Sequence, residues 1–391
     1  MLCSKTPTFR EKMEAWALQR CPLSQLERLE PIARDLMQAF TDHRPEAFVQ
    51  YLNQPEALTA YTHLFAPQTY VRVEAALTHI LQRLPAPPDR PSRVLDLGCG
   101  VGSAALAAYD TLLQWTGHAP EITGVDWSQQ ALDALKEIHP QAITQRADLR
   151  SFTPSGTYDI ILSSFAFNEA FPNANEAFAM LLKLSEALST DAPSFVLILE
   201  PADRLATPRL LALRPRLTQA NLPLYAPCPH AHACPLIPSQ HGICHDVRKF
   251  KPTRPTILLT RHLRKTVSEV KYTPLAFGRP NGPLAEGFGQ DEFLRIIGPI
   301  NRGKGVLETR VCMGDGRVRA LEIPNAALSS ERRHALLDRQ RGDCAWLDGP
   351  LDLRKRIDND ATQRTADLRF LDEAPLAIED SLDDDTFTFS I

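Results

Sequence analysis

Val94-Leu-Asp-Leu-Gly-Cys-Gly-Val-Gly102 decides how this chain of 391 residues is read. An apolar run carrying one acid, Asp96, gives way to three glycines at 98, 100 and 102, and Ser103 opens an amphipathic stretch. That pattern is a strand, a tight turn and a helix. Glycine lets the backbone turn sharply and lets a ligand lie against it with no Cβ in the way. The helix start then offers free amides. A nicotinamide loop needs its third glycine at position 103, where this chain has serine.

Asp-x-Gly-x-Gly-x-Gly instead resembles motif I of the class I S-adenosylmethionine-dependent methyltransferases. The resemblance implies a set of cofactor contacts: Asp96, Gly98, Gly100 and Gly102 in the loop, Asp126 at the end of the second strand and Asp148 just past the third. Asp126 would accept the ribose hydroxyls, and Asp148 would reach the adenine amino group. Cys99, inside the loop, reads as a small packing residue. A fourth strand ends in Phe165-Ala-Phe-Asn168-Glu169, facing the transferred methyl group in such a fold. Methyl transfer is an in-line displacement that positioning alone can promote, with a base needed only for a protonated nucleophile. Asn168 and Glu169 are the polar candidates. Neither an Asn/Asp-Pro-Pro-Tyr clamp nor a cysteine nucleophile stands there.

Outward from the loop, short apolar runs at 94–97, 122–125, 160–162 and 195–199 alternate with amphipathic segments at 103–115, 129–138 and 174–188. This rhythm predicts an α/β fold with a doubly wound, Rossmann-like parallel sheet. Residues 1–90 read as a helical N-terminal domain that ends in the proline-rich connector Leu84-Pro-Ala-Pro-Pro-Asp-Arg-Pro-Ser92. The methyltransferase core then spans 91–221, and a Cys/His-rich loop spans 222–256 as a metal-binding insertion. Strands at 257–345, among them the runs Thr256 to Leu263 and Val267 to Phe277, complete the core and the metal site. An acidic tail, 346–391, is expected to be mobile.

The loop reads Cys228-Pro-His-Ala-His-Ala-Cys234-Pro-Leu and then Cys244-His245. It has little apolar material of its own, so a metal centre is the economical way to order it. Cys312, in a strand-like run before a tight turn, is the fourth candidate ligand. Four thiolates at 228, 234, 244 and 312 suit tetrahedral zinc or an iron–sulfur cluster, with His230 or His245 able to replace one of them around zinc. Cys3, Cys21 and Cys344 lack such company.

Eleven Lys or Arg stand against one acid, Asp246, between Arg204 and Lys265, in a chain of net charge −4. A basic block beside the loop predicts a phosphate-rich partner. No apolar run is long enough to span a membrane, and the first residues do not read as a secretory signal. Eight cysteines in such a chain imply reduced thiols.

The order of glycine loop, Asn168-Glu169, Glu200-Pro201, Cys-Pro-His-x3-Cys-Pro-Leu and Cys-His resembles the methyltransferase-like family of mitochondrial small-ribosomal-subunit assembly factors and their bacterial relatives. The resemblance implies a [4Fe–4S] cluster on Cys228, Cys234, Cys244 and Cys312, and an association with small-subunit ribosomal RNA or ribosomal proteins. It implies a cytoplasmic protein in a bacterium and a mitochondrial-matrix one in a eukaryote. Where the family has Trp-Cys-His-Phe, this chain has Ile243-Cys-His-Asp246. An assembly factor without catalysis and a small-molecule methyltransferase with structural zinc are the alternatives.

Overall fold

The computed structural model describes residues 7–42, 53–86, 88–237, 243–261, 267–347, 353–354, 362–364 and 368–372. Cys3, His241, Arg264, Lys265 and the acidic terminus beyond Asp372 lie outside the described residues. The chain opens with helices α1 (Phe9–Arg20), α2 (Glu30–Asp42), α3 (Pro55–Leu64) and α4 (Ala66–Leu81). Thr8 and Glu11 cap α1 reciprocally, each side chain accepting the other's backbone amide.

Five parallel strands follow: β1 (Arg93–Leu97), β2 (Glu121–Asp126), β3 (Ile143–Arg146), β4 (Ile160–Ser164) and β5 (Phe195–Glu200). The sheet is extended by β6 (Leu224–Ala226), β7 (Asp246–Lys249) and β8 (Glu269–Gly278). Its order is β3-β2-β1-β4-β5-β8-β6, with β8 antiparallel to both β5 and β6, and with β7 pairing β8. This is the doubly wound, Rossmann-like sheet expected from the alternation. Helices α5 (Ser103–Thr116), α6 (Gln129–Ile138), α7 (Phe167–Ala170) and α8 (Ala174–Glu186) connect the strands, and one apolar core lies on each face. The N-terminal helices share the first of those cores. Asp110 of α5 accepts the Phe9 amide at 2.7 Å and the Tyr70 hydroxyl at 2.5 Å, tying α1 and α4 to the sheet. The strand order reverses beside β1, which opens a crevice between the carboxyl ends of β1 and β4.

After β5 come two short helices, α9 (Ala206–Leu211) and α10 (Arg214–Gln219), with Pro215 in the first turn of the second. One segment differs from the sequence reading. The run expected as a strand from Thr256 to Leu263 is helix α11 (Arg254–Arg261). Its β-branched residues suggest a strand, yet it buries Pro255, Thr256, Leu259 and Thr260, a helical spacing. Leu259 packs among Leu26, Leu29, Leu36 and Leu64 of the N-terminal helices.

The rest of the chain builds a second sheet. Its strands are β9 (Phe293–Ile296), β10 (Asn301–Arg302), β11 (Val306–Met313), β12 (Val318–Pro324), β13 (Cys344–Leu347), β14 (Leu353–Arg354), β15 (Thr362–Arg364) and β16 (Leu368–Phe370). Helix α12 (Ser330–Asp338) lies between β12 and β13. This sheet has its own core, which includes Leu294, Leu307, Val311, Leu321, Leu336 and Phe370.

Candidate functional site

At the crevice, Asp96 is completely buried, and its Oδ2 accepts the Ala105 amide at 2.9 Å. Its Oδ1 is buried without a hydrogen-bond partner. Burial pushes this carboxyl up to about 7, against the pull of the Ala105 amide and with the charge of Asp126 adding. Gly98 turns the chain at φ +72, and a Cβ there would lie 2.4 Å from the Ala166 Cβ beyond β4. Only glycine fits this crossing.

The loop folds back onto β2. Gly98 and Cys99 both donate to the Val125 carbonyl, at 2.8 and 3.0 Å. Asp126 is 3% exposed, and its two oxygens accept the amides of Gly100 at 2.8 Å and Ser128 at 2.9 Å. Each oxygen keeps lone-pair capacity for another donor. Asp148 is exposed, and Arg150 holds its carboxyl below the usual range through a 2.6 Å contact. Cys99 is buried against Gly124. A glycine cradle, an orphaned acid beneath it and a second acid at the next strand suit a nucleoside-bearing cofactor with a cationic amine.

Asn168 and Glu169 stand on α7, at the carboxyl end of the sheet. The Asn168 amide donates to Glu200 Oε1 at 2.8 Å, and its side chain reaches the Ala206 carbonyl at 3.4 Å. Glu169 is exposed. Asn168, on the helix after β4, thus bonds to β5 and to α9.

The four cysteines converge from two sheets. Cys228, Cys234 and Cys244 come from the connection between β6 and β7, and Cys312 comes from β11. Burial pushes the Cys228 thiol up to about 12, with the sulfurs of Cys244 and Cys234 adding to the rise. Cys312 is raised by burial, then by Cys228 and Cys244. His230 Nε2 lies 3.2 Å from Cys312 Sγ. Cys234 and Cys244 line a cavity of about 840 Å³ with Asp203, Thr207, Leu211 and Ile243. Among the described residues, no three His, Cys, Asp or Glu side chains stand close enough to hold a single metal ion.

Arginines that sequence reading missed build the walls of this centre. Arg295 is 2% exposed, forms an ion pair with Asp246 and points Nη1 at Cys244 Sγ, 3.6 Å away. Arg214 donates to the carbonyls of His230 and His232 at 2.9 and 3.4 Å, and Arg341 to that of Ile243 at 2.7 Å. The available signal was a lone charge inside the apolar run Phe293–Ile297. Cys344 is buried as well, 3.6 Å from His79 Nε2. The basic block is partly consumed by structure: Arg214 holds the loop, Arg248 pairs with Asp343 at 3.2 Å, and Lys249 pairs with Asp338 at 2.9 Å. Arg204, Arg209, Lys251, Arg254 and Arg261 are exposed.

Comparison with known proteins places these features in context. Residues 55–325 match the family described as mitochondrial small ribosomal subunit Rsm22. Two trans-aconitate 2-methyltransferases are each 30% identical in part: that of Azoarcus over 23% of this chain and 32% of the relative, that of Streptomyces coelicolor over 32% and 45%. The chain thus spans less than half the length of these curated relatives. The Synechocystis magnesium protoporphyrin IX methyltransferase, solved with bound S-adenosylmethionine, is 15% identical with a TM-score of 0.34, over 63% of this chain and 97% of that one. Among the described residues, no helix is long and apolar enough to cross a membrane.

Proposed function

The chain belongs to the family of mitochondrial small ribosomal subunit Rsm22, and from that premise we propose that it is an S-adenosylmethionine-binding, methyltransferase-like protein that acts on small-subunit ribosomal RNA during assembly or translation. Its place of work would be the mitochondrial matrix in a eukaryote and the cytoplasm in a bacterium. The observation that carries the reading is the glycine cradle over the unpartnered Asp96 oxygen, set in the same family-matched stretch as the four converging cysteines. Gly98, Gly100 and Gly102 would receive the cofactor against bare backbone, Asp96 and Asp126 would hold its amine and ribose sides, and Asp148 its base. The cofactor supplies an electrophilic methyl group. Asn168 and Glu169 would orient the acceptor at the end of β4, and Glu169 would take its proton.

Cys228, Cys234, Cys244 and Cys312 would hold an iron–sulfur cluster of the [4Fe–4S] type. What supports grouping the four thiols around one centre is that, beyond the effect of burial, they push one another's pKa up through space, Cys228 with Cys244 and Cys234, and Cys312 with Cys228 and Cys244. Anaerobic purification with an optical spectrum and an iron and sulfide assay tests this: iron and sulfide in equal amounts are expected, and zinc alone would overturn the cluster.

Titration calorimetry with S-adenosylmethionine tests the cofactor. Binding is expected, with at least a tenfold loss in Asp148→Ala, whose exposed side chain can be removed without disturbing the core. A second reading, an assembly factor without catalysis, is favoured by the engagement of Asn168 with Glu200 and the Ala206 carbonyl. No heat and no thermal shift, with ribosomal association intact, would select it.

A further inference from the structure

The second sheet returns towards its start through two short strands. β15 pairs in parallel with β12, and β16 pairs antiparallel with β13. β13 pairs with β9, β9 with β11, and β11 with β12. With β9, β11, β12 and β13 as the first four strands and the short strands β15 and β16 sharing the fifth place, the pairings give the order 1-2-3-5-4-1, with α12 between the third and fourth. That is the order of the oligonucleotide/oligosaccharide-binding barrel, whose second and third strands and first–second loop carry the ligand. The family match stops at 325, before the helix and the closing strands. A fold alone names no ligand, so the surface has to supply the chemistry.

β11 sends Leu307, Val311 and Met313 into the barrel core, and Glu308, Arg310 and Cys312 the other way. Arg310 is exposed on that outer row, and Cys312 at its end enters the cysteine centre. The hairpin from β10 to β11 carries exposed Arg302 and Lys304. Past the other end of β11, Arg317 is exposed, and a Cβ on Gly316 would lie 2.8 Å from His232 of the cysteine loop. Cations therefore mark both ends and the middle of one strand, about 26 Å long at ~3.3 Å per residue, enough for the ~4 nucleotides of a minimal site on such a barrel. Glu308 and Glu322 face each other on the same row, and Glu308 lies over Gly303. Residues 293–370 hold fifteen Lys or Arg and eleven Asp or Glu, an excess of four positive charges in a chain of net −4. Among the described residues of the barrel no large hydrophobic side chain is exposed, so the contacts argued from are those of its cations to phosphate.

We propose that this barrel is an RNA-binding module that holds the sugar–phosphate backbone of a single strand along β11 and leads it to the cysteine centre. The inference rests on the RNA reading above and names the surface responsible. Fluorescence anisotropy of the full chain with a labelled oligouridylate, followed across a salt series, tests it. The triple variant Arg302→Glu, Lys304→Glu, Arg310→Glu should bind at least tenfold more weakly, and its log K against log salt slope should flatten by about 2. Arg204→Glu with Arg209→Glu, just before and on α9, should change both quantities less. If the triple variant, shown by its melting curve to be folded, keeps the wild-type affinity and slope, the barrel proposal falls while RNA binding stands. If the wild-type chain binds no RNA, the RNA reading falls with it.

Discussion

Asp246 stands where the resembling family has an aromatic ring. It is buried, Gly342 packs against its carboxylate, and it neutralises Arg295, which is itself 2% exposed. A buried charge without its partner is costly, whereas replacing a whole pair by apolar groups is often nearly neutral. Asp246→Asn keeps the shape and strands Arg295, so it should destabilise by about 3 kcal/mol in urea unfolding. Adding Arg295→Met should recover most of that loss. Equal instability of the single and double variants would mean that the pair is not what the site depends on. The contrast with Gly98 shows what a sequence can disclose at this scale. The glycine loop is legible because backbone geometry dictates its spacing within a few residues. The Asp246–Arg295 pair joins positions 49 apart, and only tertiary packing decides that they meet.

Elements of strong period were readable, and those decided by their neighbours were not. α6 follows its apolar spacing from Gln129 to Ile138, while α11 has strand-forming residues and is helical because Leu259 is needed under the N-terminal helices. α3 meets α11 at His63, whose carbonyl accepts the Thr256 hydroxyl at 2.7 Å. The imidazole is 2% exposed, and burial pushes it from 6.5 down to about 4. The unfolded chain therefore takes up a proton below pH 6.5 that the folded chain refuses. Stability from this residue is complete above pH 6.5 and is lost as the pH falls towards 4. The loss is on the order of 3 kcal/mol at the acid end. His63→Phe removes the titration, together with the ring's interactions with the backbone of Cys21 and Ala17. Its melting temperature should fall less than that of the wild type between pH 7 and pH 5. An identical fall in both proteins would show that His63 is not the group responsible.

Across the whole molecule, the parallel sheet was legible and the barrel was not. β1, β2, β4 and β5 are apolar runs, a signal strong in each segment, whereas β3 (Ile143–Arg146) is largely polar and exposed. The barrel closes through β15 and β16, three residues each, too short to show a period. Its closure rests on pairings with β12 and β13 that no local pattern announces. The cysteine centre falls on the joint between the two sheets. Three of its thiols hang from the first sheet and the fourth projects from the barrel, with Leu211 and Ile297 packed beside Cys244 and Cys312. That apolar patch is small, so a bound cluster would act as a cross-link between the halves and contribute its binding energy to their docking. Removing it with a chelator and an oxidant, or deleting the fourth ligand in Cys312→Ala, should therefore raise amide exchange at β9 and β11 well above that of the cluster-loaded protein. Exchange in β1, β4 and β5 should stay as it was, because their pairing is independent of the joint. Uniform loosening of both sheets would make the centre part of a common core. No change at β9 and β11 would show that the barrel is held by its other contacts, such as the Arg83 side chain, which donates to the Tyr225 carbonyl at 2.9 Å and stacks on the Phe293 ring.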